Sequence, residues 1–109
     1  MEAARLAHLP RREVLGAPVL VASSFRSRLL GLAFLRREHA GPGLLIPRCR
    51  SVHTFGMRFP LDVVFLDGEG RAIAWVESVP AGRLVGDRRA SAVLEIPAEE
   101  TELPLPRAE

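Results

Sequence analysis

Apolar positions fall in short runs broken by Gly, Pro and charged residues, the punctuation of turns between short elements. The most regular run is Leu61–Asp67. Leu61, Val63 and Phe65 lie on one face, and Val64 and Leu66 lie on the other beside Asp62. Apolar residues on both faces predict a central strand covered twice. Asp67-Gly68-Glu69-Gly70 predicts a hairpin turn with Gly available for positive φ. Arg71–Val79 then reads as the return strand, with Ile73 and Trp75 on one side and Trp75 expected in the core. Shorter strands are predicted at Pro18–Ala22, Leu44–Ile46, Ser51–Phe55 and Ala90–Ile96, and Ala81–Arg89 reads as a loop.

One stretch has helical period. Phe25, Leu29 and Leu32 follow i, i+4, i+7, and Ser23 or Ser24 supplies N-cap chemistry. The spacing predicts a helix over Phe25–Leu32, with Gly31 marking its end or a close contact with the sheet. Residues 1–12 and 98–109 read as loose ends around a core of about 14–98, so residues 1–109 are taken as a single domain.

Composition narrows the class. The chain has 109 residues, 48% of them hydrophobic, enough to build one real core. No apolar run reaches the length needed to cross a bilayer, so no membrane insertion is expected. The N-terminal Met1-Glu2-Ala3-Ala4-Arg5 lacks the basic and apolar regions of a secretory signal, and a single Cys excludes an internal disulfide framework. Both point to a reducing, cytoplasmic setting.

All fifteen basic residues are Arg, and the formal charge is only +2. Charge is uneven: residues 1–50 hold nine Arg against three acids, and residues 51–109 hold six Arg against ten. The plain reading is two solvated faces of opposite bias. The sharper one is an anion-facing surface of Arg26, Arg28, Arg36 and Arg37. Tyr is absent and aromatics are 6%, so the stacking platform of RNA-binding sheets is missing and no nucleic-acid partner is expected.

The stretch from His53 to Asp67, His-Thr-Phe-Gly-Met-Arg-Phe-Pro-Leu-Asp-Val-Val-Phe-Leu-Asp, resembles the signature of an uncharacterised bacterial and archaeal family, domain of unknown function 192. Arg28-Leu29-Leu30-Gly31-Leu32 is similar to the family's Arg-x-x-Gly-Leu helix, Gly43–Ile46 to the strand before the signature, and Val93–Pro97 to its Leu-Glu strand. The resemblance spans roughly residues 14–98 and implies an α+β fold: a largely antiparallel, barrel-like sheet with one main helix packed against it. Ala33 stands where many relatives carry Met, and the segment after Pro97 lacks their Ala-Gly, which puts closure of the barrel in question. The family has no established activity, so the resemblance implies a fold and leaves function open.

Asp62 is the most informative polar residue, because strand parity sets a carboxylate among Val64 and Leu66. Such a group needs donors, or its pKa rises. Either it ties backbone amides or Arg58 and fixes the bend at Gly56–Pro60, or it pairs with His53 in a small pocket where the imidazole exchanges protons. Cys49, His53 and Met57 recur every four residues and are all metal-capable. That spacing suits a helix, and in an extended segment it separates them by about 13 Å. No metal and no cofactor are therefore expected. A Cys49–His53 nucleophilic pair lacks an orienting Asn.

These features predict a small binding or accessory domain of unknown function. Its candidate polar pocket for a small polar or anionic ligand is built from His53, Thr54, Met57, Arg58 and Asp62, with Cys49 at the edge. Two alternatives belong to other classes. One is a hydrolase-like or proton-transfer enzyme using His53 and Asp62; the other is an assembly component using the Arg-rich helix face.

Overall fold

The computed structural model describes residues 4–22, 24 and 31–98. Eight strands dominate the regular structure: β1 (Arg11–Val14), β2 (Ala17–Val21), β3 (Leu44–Pro47), β4 (Ser51–His53), β5 (Leu61–Leu66), β6 (Ala72–Val79), β7 (Leu84–Gly86) and β8 (Ala92–Pro97). Six form one sheet in the order β1-β2-β3-β8-β5-β6, and β4 pairs with β7 separately. All pairings are antiparallel except β2 with β3.

The expected α+β class is corrected by these elements. Among the described residues helical structure is limited to α1 (Ala4–Ala7) and a three-residue 3-10 turn at Arg37–His39. Of the predicted main helix, residues 25–30, with Arg26 and Arg28, lie outside the described residues. The described remainder is a turn, with Gly31 at φ 52 and Phe34 at φ 67, both left-handed and incompatible with helix continuation. The expected barrel is not closed either. β1 and β6 are the two edges of the large sheet and do not pair. β7, which arises inside the predicted 81–89 loop, joins β4 instead, and among the described residues no strand bridges the gap.

The central-strand reading of β5 holds in detail. It lies between β8 and β6, and its two faces feed two apolar clusters. Leu61, Val63 and Phe65 enter the larger cluster with Leu20, Leu44 and Val93. Leu6 and Leu9 reach the same cluster from the N-terminal segment read as a loose end, and Leu32, Val52, Met57 and Phe59 join it from elsewhere. Val64 and Leu66 enter the smaller one with Val14, Val19, Leu45 and Leu94. Each fully buried aliphatic side chain contributes about 1.5–3 kcal/mol of transfer free energy. Trp75, expected in the core, is 54% exposed because β6 is an edge strand.

Asp67 shapes the β5–β6 turn. Its Oδ1 accepts from the Glu69 and Arg71 amides at 2.8 and 2.9 Å. Those bonds and Arg71 hold its carboxyl below the usual range. At one end of the large sheet, β1, the end of β3, the start of β8 and this turn line a common cavity of about 510 Å³.

Candidate functional site

The residues singled out from sequence occupy distinct environments. Thr54 is fully buried. Its Oγ1 donates to Pro80 O at 2.7 Å and accepts from Arg83 N–H at 2.8 Å, while its own amide donates to Arg83 O at 2.8 Å. Met57 is buried in the larger cluster, its amide donating to Thr54 O. His53 is half-buried at the end of β4. Its Nδ1 accepts from Phe55 N–H at 3.2 Å, which places the proton of the neutral ring on Nε2. The imidazole stacks on Phe55 with ring centroids 5.3 Å apart. Arg58 is exposed.

Asp62 occupies a β-bulge. The β5–β6 register shifts between Leu61 and Val63, so Asp62 faces both Glu77 and Ser78. Its Oδ1 accepts from Ser78 N–H at 2.8 Å, and Ser78 is left-handed at φ 51. Asp62 therefore ties a backbone amide on the neighbouring strand. No hydrogen bond or ion pair joins it to His53 or Arg58 among the described residues.

Cys49 stands apart from the others. Its Sγ donates to Ser51 O at 3.1 Å, and its side chain lines a cavity of about 590 Å³ with Arg48, Arg50, Ala90 and Ser91. Among the described residues no carboxylate lines that cavity. Arg48 and Ser91 also line the 510 Å³ cavity at the end of the sheet, so the two cavities are neighbours. Arg48 is left-handed at φ 52, which turns the chain between β3 and β4. Three acids line the 510 Å³ sheet-end cavity, but two of them are already engaged: Asp67 by turn amides and Arg71, and Glu69 by Arg71 at 2.6 Å. No group of three or more metal-capable His, Cys, Asp or Glu side chains occurs among the described residues.

The residue that sequence reasoning passed over is Glu95. It lies on β8 opposite Leu44 and Val63, both fully buried. Its carboxyl accepts one hydrogen bond, from Leu32 N–H, and Oε1 has no partner. Burial pushes it up to about 7. A Cβ on Gly31 would come within 2.9 Å of Oε1, so the glycine is what lets the turn lie on the carboxyl. Arg5 secures the same turn, donating to Gly31 O at 3.0 Å and Ala33 O at 2.6 Å. The signal was present: Glu95 shares the parity of Val93 within an apolar strand, the same argument that marked Asp62.

A mostly β domain with an open six-stranded sheet and polar cavities at its end is the class that this structure defines. The chain belongs to the family described as uncharacterised ACR, domain of unknown function 192, whose pattern matches residues 10–103. Two solved structures share the fold. One is a protein of unknown function from Novosphingobium aromaticivorans DSM 12444, 17% identical, with a TM-score of 0.60 over 90% of this chain and 87% of that one. The other, from Sinorhizobium meliloti 1021, is named as a candidate transcription regulator. It is 22% identical, with a TM-score of 0.61 over 81% of this chain and 78% of that one. No curated protein matches the chain. The family has no named activity, and the function of this member is unknown. Among the described residues no helix is long and apolar enough to cross a membrane.

Proposed function

We propose that this domain binds a small anionic ligand, carboxylate or phosphate in chemistry, in the cavity lined by Arg48, Cys49, Arg50 and Ser91. The observation that carries this reading is a cavity of about 590 Å³ at which Arg50 stands exposed with Ser91, and whose lining among the described residues includes no acid. Its size is that of small-molecule sites. Guanidinium groups recognise carboxylate and phosphate through paired N–H donors, and the Ser91 hydroxyl adds one more. Cys49 lines this cavity and supplies a reporter thiol for it. In the proposed role Thr54, Met57 and Asp62 support the scaffold, and the Thr54 bonds and the Asp62 bulge fix the strands on which it rests. His53 and Arg58 lie on the β4 side and are reserved for a separate contact.

Inorganic phosphate is the first probe. Phosphate is expected to shift amide resonances at 48–50 and 91 and to slow alkylation of Cys49 by iodoacetamide. Arg50→Ala should weaken both effects by about tenfold, the loss of one charge-assisted pair. Unchanged resonances and an unchanged alkylation rate for both phosphate and citrate would defeat the reading.

A further inference from the structure

Three large apolar side chains stand in solvent on the β4–β7 side: Phe34 at 65% exposure, Phe55 at 56% and Leu84 at 73%. They are contiguous. The Phe34 ring lies on Gly56, where a Cβ would meet its Cε1 at 2.7 Å, and Phe34 N–H donates to Gly56 O. Phe55 precedes that glycine and stacks on His53, and His53 is the cross-strand partner of Leu84. Phe34 is also left-handed at φ 67, an outlier for a bulky residue. Backbone strain and a glycine thus hold an aromatic ring outward, where burial gives it no return.

The rim is cationic. Arg36, Arg58 and Arg83 are exposed, and each lies within two residues of Phe34, Gly56 or Leu84. No Asp or Glu occurs within two residues of Phe34, Phe55 or Leu84. An apolar patch with such a rim fits an apolar and anionic counterpart. A second copy of the chain is disfavoured, because two arginine rims would face each other. The patch side chains come from two turns and the start of a strand, and none lines either cavity described above. They project; they do not enclose. A projecting surface suits a soft interface that admits rings into it, more than a peptide that needs a groove.

We propose that Phe34, Phe55 and Leu84, ringed by Arg36, Arg58 and Arg83, adsorb this domain to an anionic lipid surface. The rings enter the headgroup layer and the guanidinium groups pair with lipid phosphates. This surface is distinct from the anion cavity.

Co-sedimentation tests it. The full chain is mixed with phosphatidylcholine vesicles and with mixed phosphatidylcholine–phosphatidylglycerol vesicles, at low and high salt. Binding is expected to the mixed vesicles, to fall with salt, and to drop by about tenfold or more in the double variant Phe34→Ser/Phe55→Ser. The double variant Arg58→Ser/Arg83→Ser should lose the preference for phosphatidylglycerol while keeping the wild-type melting temperature. Wild-type protein that stays in the supernatant with both vesicles overturns the proposal. Binding that survives the phenylalanine substitutions also overturns it, as does a patch whose substitution changes only the oligomeric state in size-exclusion chromatography.

Discussion

Glu95 shows how far one side chain can set the behaviour of this domain. An acid buried among Leu44, Val63 and the Gly31–Leu32 turn favours its neutral form. The folded chain holds a proton up to about pH 7, whereas a free glutamate releases it near 4.5. Between those values the native state binds more protons than the unfolded state, so stability falls as pH rises. Taken whole, the shift corresponds to about 3 kcal/mol. Asp87, held down to about 2 chiefly by its side-chain bond to Arg89, acts in the opposite sense but below this window. Urea unfolding at about pH 5 and about pH 8 is therefore expected to show greater stability at the lower pH. Glu95→Gln should flatten the dependence and gain stability at the higher pH. A slope identical in the two proteins would show that Glu95 is not its source.

At the scale of elements, the β4–β7 pair is too short to stand alone, with three residues in each strand. Thr54 fastens it to the main sheet. Its hydroxyl and backbone reach Pro80, Gly82 and Arg83 in the β6–β7 connection. Thr54→Val keeps the shape but strands the Pro80 carbonyl and the Arg83 amide in a buried setting. It should cost about 2–4 kcal/mol, whereas Thr54→Ser, which keeps the hydroxyl, should cost about 1 kcal/mol. Chemical denaturation of the two variants checks the contrast, and equal losses would show that the methyl group matters more than the bonds. This connection was illegible in the sequence. Ala81–Arg89 contains Gly82 and Gly86 and little periodicity, so it read as a loop, and only pairing with Ser51–His53 makes Leu84–Gly86 a strand.

Across the whole molecule, what the sequence revealed was whatever local alternation decides. β5 sits between two strands and feeds two clusters because Leu61–Leu66 is apolar on both faces, and the Asp67–Gly70 turn follows from its residue types. The order of strands, the parallel β2–β3 pair and the failure to close depend on partners far apart in the chain, which no window of residues contains. The site divided in the same way. Parity marked Asp62 as a carboxylate needing a donor, but that donor is the amide of Ser78, exposed by a bulge on another strand. The cavity at Arg48, Cys49, Arg50 and Ser91 joins the β3–β4 link to the start of β8, and spacing could not bring those segments together.

Leaving β6 at the margin has one more outcome. Its outer row of amides and carbonyls is an eight-residue template, with Trp75 and Val76 in solvent beside it. Glu77 and the kink at Ser78 are the only interruptions near its end, and they act as gatekeepers against strand-to-strand growth between molecules. Removing that charge with Glu77→Val should raise light scattering during concentration or mild heating, with secondary structure unchanged beforehand. If the variant stays as clear as the parent, the kink alone guards the margin.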